Sequence, residues 1–432
     1  MSLRNWLRTR SAKTTQQPRT RLGVQQLEDR TVPSSWLAQV GGPGDLNLWY
    51  KASAMDAAGN LYVCGNFDQS MDFNPDPGAT YSLTSAGSYD GFVAKYSPDG
   101  TLLWARAVSI DPTGQWVYAA GGFEVTADFT GDGVADRTSV GSQDVFVAQL
   151  AADTGSTAWA KSVGSANHDY PTDIATSGSS VYVTGYFFGT ADFDPGPGTR
   201  TLTPTGTGNN LSSDGFVLKL DTAGTHVSSW QVGGASADEG AALVVDGDTV
   251  YLAGLFSGTV DFDPGTGVAN RTSAGYADIV FASYNTAAAA PALNWVQTIG
   301  NSRTHYDLFM TGDSGSLYLS GHFEGTLDLD PGAGVTNLTA TAGTTSGFVA
   351  RYTKASGSMA WAKLFAGTGQ TGSGPAVVDE TVGAVYVGGV FNGAIDLNPA
   401  IPGGEHVSPT GADQDGFLVR LATADGAYQN SW

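Results

Sequence analysis

Residues 128–136 place oxygen-bearing groups at a spacing that suits a hard metal ion. Gly133 stands at the sixth position, where a metal-binding loop must bend tightly, and oxygen ligands arranged in this way are those that Ca²⁺ prefers. Position 12 is Ser139 rather than Glu, so the segment is not an EF-hand. The sequence predicts a calcium site here, and the alternative is an Asp/Gly-rich turn that holds no ion. The candidate ligands are Asp128, Thr130, Asp132, the carbonyl of Val134, and Asp136.

Paired acidic or amide side chains recur in five comparable turns. Proline follows the second member of each pair, and Asp76 adds a further carboxylate to the first turn. Aspartate that accepts backbone N–H groups, with proline fixing φ, is typical of a β-turn. A turn is therefore the preferred interpretation, and weak metal binding is the alternative. The pairs are Asp72 and Asn74, Asp192 and Asp194, Asp261 and Asp263, Asp328 and Asp330, and Asp396 and Asn398.

These turns belong to a repeat that occurs six times along the chain. Each copy begins with an aromatic-rich strand and continues through the acidic turn to a strand such as 90–96 and then to a strand with one Trp. A short stretch of small residues before each aromatic-rich strand supplies a fourth strand, as in residues 172–176. The aromatic-rich segments are 61–67, 117–123, 181–187, 250–256, 317–323 and 385–391.

Four strands per repeat predict an all-β fold, a single β-propeller with six four-stranded blades, with seven possible. Copy 2 is shortened between Trp104 and Tyr118, so its inner strand is expected to be short or missing. Residues 35–41 match the outer strand at 158–164, and the last copy stops at Trp432. We therefore expect residues 35–41 to complete the last blade, which removes two exposed strand edges. The propeller domain is predicted to span 35–432.

Three family resemblances accompany this pattern. Segments 58–65 and 90–95 resemble the units of the bacterial β-propeller repeat (SBBP-like) family, which implies a propeller and an occurrence on cell-surface proteins but no reaction. Segment 128–136 resembles the calcium loops of FG-GAP repeats, although Thr130 stands where Asp or Asn is usual. Segment 150–159 also looks like the tryptophan-docking turn of quinoprotein dehydrogenases, but a single such turn gives no independent support for a quinone cofactor.

Charge is distributed unevenly along the chain. Residues 1–30 hold seven of the 20 Lys and Arg residues, whereas the whole chain carries a net charge of −21. The acidic body is expected to repel nucleic acid and to attract cations. Segment 1–34 is predicted to be disordered and targeting-like, and its end resembles a head motif of bacterial secreted and surface proteins. We expect a secreted or cell-surface protein, a monomer with no transmembrane segment.

No catalytic triad or zinc-binding spacing emerges from the sequence, and the five histidines fall at different places in the repeats. The leading hypothesis is a non-enzymatic scaffold that binds an unidentified protein or polysaccharide, supported by calcium. The alternative is a propeller-type glycan lyase or hydrolase with carboxylates at the mouth of the channel. That alternative predicts that four unrepeated residues converge at one end: Asp238, Glu239, His305 and Asp307.

Overall fold

The computed structural model describes most of the repeat region. The described residues are 46–47, 53–55, 60–67, 70–76, 79, 82–84, 90–98, 101–106, 109–110, 116–130, 134–206, 212–301, 305–398, 405–407 and 415–431. The segment 1–34, the closing strand expected at 35–41 and the candidate ligand Asp132 lie outside them. No described residue belongs to a helix that is long and apolar enough to cross a lipid bilayer.

The described part of the chain is all-β, as predicted, and its strands follow the six repeats. Repeat 1 contributes β1 (Leu46–Asn47), β2 (Ser53–Met55), β3 (Leu61–Phe67), β4 (Ser70–Asp72), β5 (Ser82–Thr84), β6 (Asp90–Tyr96) and β7 (Leu102–Arg106). Repeat 2 contributes β8 (Ser109–Ile110), β9 (Trp116–Phe123), β10 (Thr126–Ala127), β11 (Arg137–Thr138), β12 (Asp144–Ala151) and β13 (Thr157–Ser165). Repeat 3 contributes β14 (Asp169–Ser177), β15 (Ser180–Phe187), β16 (Ala191–Asp192), β17 (Thr201–Leu202), β18 (Asp214–Asp221) and β19 (His226–Val232).

The last three repeats have the same six strands each. Repeat 4 contributes β20 (Glu239–Asp246), β21 (Thr249–Phe256), β22 (Thr259–Asp261), β23 (Asn270–Thr272), β24 (Asp278–Asn285) and β25 (Ala292–Ile299). Repeat 5 contributes β26 (His305–Gly312), β27 (Ser316–Phe323), β28 (Thr326–Asp328), β29 (Asn337–Thr339), β30 (Ser346–Thr353) and β31 (Met359–Phe365). Repeat 6 contributes β32 (Thr371–Asp379), β33 (Ala384–Phe391), β34 (Ala394–Asp396), β35 (Glu405–Val407), β36 (Asp415–Ala422) and β37 (Tyr428–Ser431).

Each of repeats 2 to 6 builds one antiparallel sheet from its first, second, fifth and sixth strands, in that order. Sheet 1 differs because β1 and β2 both pair with β3. Sheets of four antiparallel strands in sequence order fit the blades of a β-propeller. The first strand of sheet 2, β8, is described over two residues, against nine in β14; residues 107–108 and 111–115 lie outside the described part, so a short strand here stays a prediction.

The third and fourth strands of each repeat form a hairpin that carries the acidic turn. In repeat 3 this hairpin also pairs with the previous sheet, because Ala191 and Asp192 lie opposite Ser165 and Gly164 of β13. Isolated bridges join Gly234 to Val260 and Gly367 to Ile395 in the same way. The acidic hairpins therefore connect each of these sheets to the one before it.

The hydrophobic core lies between successive sheets. Tyr182 and Trp230 of sheet 3, for example, pack in one cluster with Val250 and Phe256 of sheet 4, and all four are buried. Burying an apolar side chain of this size contributes about 1.5–3 kcal/mol. A single sheet cannot bury both of its faces, so the repeats must stack. The first strands of sheets 3 to 6 also contact one another in turn.

Candidate functional site

The acidic turns fold around backbone N–H groups. Asp192 Oδ1 accepts the N–H of Asp194 at 3.0 Å and that of Arg200 at 2.7 Å, while Asp194 Oδ1 accepts the N–H of Gly196 at 2.8 Å. A Cβ atom at Gly198 would lie 2.1 Å from Asp194 Oδ2, so a side chain there would displace this carboxylate. The matching turns at Asp261 and Asp328 accept the same bonds. This geometry agrees with the β-turn interpretation.

The candidate calcium loop in repeat 2 brings two carboxylates together. The Thr130 N–H donates both to Asp128 Oδ1, at 3.1 Å, and to Asp136 Oδ2, at 2.9 Å. Asp136 Oδ2 also accepts the Phe129 N–H at 2.8 Å. Convergent carboxylates fit a hard cation, and bound Ca²⁺ would cross-link the loop through Asp128, Thr130, Asp132, Val134 and Asp136. Among the described residues no group of three or more His, Cys, Asp or Glu side chains is placed to hold a metal ion.

Buried aspartates lie where one sheet passes to the next. Asp169, 1% exposed, accepts the Ser165 N–H at 2.6 Å, and Asp238, 3% exposed, accepts the N–H groups of Gly234 and Ser257 at 2.7 and 2.8 Å. Burial raises the pKa of each carboxyl to about 7. Asp238 was one of the four residues considered for catalysis. Because backbone N–H groups hold both of its oxygens in the interior, it belongs to the scaffold.

Glu239 and Asp307 lie on the neighbouring first strands β20 and β26. Burial raises the pKa of Glu239, and the negative charge of Asp307 raises it further. Asp307 is exposed and occupies a bulge between Tyr306 and Leu308, with a positive φ of 42°. Bulges redirect side chains and are common beside functional sites. The side chain of His305 is outside the described part of the chain.

An aromatic cluster lies at the same end of sheet 3. Tyr170 of β14 and Tyr186 of β15 are paired across the strands and stack with ring centroids 5.0 Å apart. His168 stacks on Tyr170 at 5.8 Å, and Phe188 meets Tyr186 edge-on at 6.0 Å. His168 is exposed and the other three are half-buried. We call these four residues the aromatic cluster; with Asn167 they line a cavity of about 260 Å³.

The aromatic cluster occupies positions that change from repeat to repeat. Strand pairing places Glu239 and Tyr306 where repeat 3 has Tyr170. Leu255 and His322 occupy the position of Tyr186. The strand pairing around these positions is the same in the three repeats, and only the side chains differ. The sequence showed the variation, but it could not show that the four rings meet.

Comparison with known proteins does not identify a family. No family model matches the chain, and no curated protein matches it. Quinohemoprotein alcohol dehydrogenase ADHIIG from Pseudomonas putida HK5 aligns over 91% of this chain and 67% of its own, with 12% identity and a TM-score of 0.37. The quinohemoprotein alcohol dehydrogenase from Comamonas testosteroni aligns over 92% and 68%, with 10% identity and a TM-score of 0.37.

A third similar structure is the phage phi92 endosialidase. It aligns over 91% of this chain and 60% of its own, with 10% identity and a TM-score of 0.31. Identities and TM-scores as low as these carry no argument about activity. The function must therefore be inferred from the residues themselves.

Proposed function

We propose that this protein is a non-enzymatic, exported or cell-surface β-propeller scaffold that binds a polysaccharide through the aromatic cluster. The observation that carries the proposal is the row of four stacked or edge-packed rings at the variable end of sheet 3. The C–H faces of sugar rings pack against aromatic faces, while Tyr hydroxyl groups bond sugar hydroxyls. A cavity with aromatic walls and a few polar groups is the usual form of such a site.

The proposal includes the architecture that carries the site. It assigns residues 35–432 to a six-bladed propeller in which residues 35–41 supply the outer strand of the last blade. Segment 1–34 precedes it as a basic, targeting-like segment. Calcium bound at residues 128–136 would stiffen the hairpin of repeat 2, and the scaffold is a monomer.

Replacing Tyr186 with Ala tests the site. Loss of one stacked ring from the centre of the cluster is expected to weaken polysaccharide binding by about ten-fold, because truncation of a central aromatic commonly costs more than 1 kcal/mol. The measurement is affinity electrophoresis of the full chain in gels that contain neutral polysaccharides.

Tyr276→Ala is the matched control, since Tyr276 is 78% exposed and lies outside the aromatic cluster. The control should migrate like the wild type in every gel. Equal retardation of the Tyr186→Ala variant and the wild type would argue against the aromatic cluster as the binding site. If the protein binds a protein ligand and no polysaccharide, it is a protein-binding scaffold, which is the other kind of partner that the sequence allows.

A second candidate function, a glycan lyase or hydrolase, is favoured by the interaction between Glu239 and Asp307. A carboxyl whose pKa is raised by burial and by a second carboxyl nearby is an arrangement that acid–base catalysis uses. If this candidate is correct, polysaccharide is cut, and Glu239→Gln abolishes the cutting while binding persists. The absence of product from the wild type would reject it.

A further inference from the structure

An open cleft of about 590 Å³ lies between sheets 2 and 3, beside the turn that connects β14 to β15. Trp116 is 36% exposed, and Trp159 is half-buried. The hydroxyl-bearing residues Ser179 and Thr222 are exposed, whereas Gln149 is 6% exposed at the inner wall. All five line the cleft, and every residue that lines it is uncharged.

Basic side chains occupy the corresponding spaces between other neighbouring sheets. Lys95 of sheet 1 donates to the carbonyl of Ala152 at 3.2 Å. Lys219 of sheet 3 donates to the carbonyl of Thr286 at 2.9 Å, and its Nζ lies 5.3 Å from the ring centroid of Tyr182. The long cationic side chain therefore bridges the interface and covers a tyrosine face.

Other basic residues make similar contacts at the interfaces between sheets 4, 5 and 6. Arg351 of sheet 5 donates to the carbonyl of Thr423 at 2.9 Å and lies over Tyr318. Between sheets 4 and 5, Ser283 occupies the strand position that is Lys219 in sheet 3 and Arg351 in sheet 5. The basic residue here is Lys354, at the turn position directly after β30, and its Nζ lies 5.4 Å from the ring centroid of Tyr251. Each of these interfaces thus has a basic residue at one of the two positions.

The interface between sheets 2 and 3 carries neither basic residue. Its strand position is Gln149, which donates to the hydroxyl of Tyr118 at 2.7 Å, and its turn position is Thr222. The Thr222 carbonyl accepts the indole N–H of Trp159 at 3.1 Å, as the carbonyls of Lys354 and Thr423 accept those of Trp295 and Trp361, but it has no basic partner among the described residues. These shorter side chains occupy less of the interface, and the cleft opens there.

Trp116 adds a second departure at the same interface. Strand pairing aligns it with small or polar residues of the other repeats, which do not supply an aromatic surface. The indole of Trp116 is 36% exposed and presents an aromatic surface to the cleft. The aligned residues are Ser180, Thr249, Ser316 and Ala384.

We propose that this cleft is a second binding site, separate from the aromatic cluster, and that its ligand is a neutral saccharide. An indole surface suits the C–H face of a sugar, and hydroxyl and amide groups suit its hydroxyls. No described residue that lines the cleft is cationic, Lys161 lies at its edge beside Gly224, and the net charge of −21 repels anions at long range. Charge therefore selects a neutral ligand over an anionic one.

The Gln149→Lys variant tests the proposal. It places a lysine at the strand position that Lys219 occupies in sheet 3. The lysine is expected to reach the Thr222 carbonyl and to occupy the cleft, so that the variant melts at or above the wild-type temperature. We expect calorimetric titration of the full chain with neutral hexasaccharides of glucose, xylose and mannose to show binding at the cleft weakened by about ten-fold or more, while binding at the aromatic cluster persists.

A second variant, Trp116→Ser, copies the residue found at position 180 and should weaken binding to the same extent. Tyr186→Ala removes part of the aromatic cluster and leaves the cleft intact. A binding signal that persists in Tyr186→Ala and is lost in Gln149→Lys therefore belongs to the cleft. Unchanged binding in both cleft variants would overturn the proposal, as would binding of a proline-rich peptide in place of the sugars. Because the two sites are tested by different variants, failure of one is distinguishable from failure of the other.

Discussion

Buried carboxyl groups set the pH response of the scaffold at the scale of single residues. Asp169 and Asp238 each titrate with a pKa of about 7, whereas an aspartate in an unfolded chain titrates near 3.8. The folded state therefore binds more protons than the unfolded state between these two values. The stability that these two carboxyls contribute is therefore expected to fall as pH rises from about 4 to about 7 and to level off above that range.

Asp238→Asn tests this residue-scale account. The substitution removes one titrating carboxyl, so the loss of stability between pH 5 and pH 8 should be smaller by about 2 kcal/mol than in the wild type. Asparagine has one acceptor oxygen for the two N–H groups of Gly234 and Ser257. The variant should therefore be less stable than the wild type at pH 5, where Asp238 is protonated in the folded wild type. Urea titrations across this pH range measure both effects, and parallel curves for the two proteins would contradict the raised pKa of Asp238.

At the scale of elements, the acidic hairpins join neighbouring sheets, and the hairpin of repeat 2 differs from the others. In repeats 3, 4 and 5 the carboxylates hold their own backbone N–H groups, whereas Asp128 and Asp136 both accept the same N–H of Thr130. Convergence of two negative charges on one amide is more costly without a cation than with one. Calcium should therefore act on this hairpin more than on the others.

Adding calcium to chelator-treated protein is expected to raise the melting temperature, since a ligand that binds only the folded state stabilises it. Asp132→Ala should abolish the increase, and Asp153→Ala, in an exposed turn of the same repeat, should preserve it. Thermal melts with and without calcium provide the measurement. An equal increase in both variants would show that calcium acts elsewhere, and no increase in the wild type would reduce the hairpin to a folding device.

Element order was predictable because the repeat displays it six times. The aromatic-rich segment 181–187, for example, corresponds to β15 (Ser180–Phe187). The sites were not predictable in the same way. The aromatic cluster depends on pairing between Tyr170 and Tyr186, and the cleft depends on the reach of side chains between sheets, neither of which sequence spacing encodes.

At the scale of the whole molecule, a repeated scaffold carries unrepeated surfaces. Stacking of the sheets buries the aromatic strands, and this regular core leaves the strand ends and turns to vary. Both proposed saccharide sites lie at such ends, and both depart from the residues found in the other repeats. If both proposed sites bind the same long polymer, attachment gains from multivalency.

The central claim is that the protein binds a neutral polysaccharide and leaves it intact. The most direct measurement incubates the full chain with a panel of neutral and acidic polysaccharides, with and without calcium, and follows both retention of the protein and release of new chain ends. We predict saturable retention on at least one neutral polysaccharide and no new chain ends. Absence of retention on every polymer would contradict the account, and release of chain ends that Glu239→Gln abolishes would make the protein an enzyme.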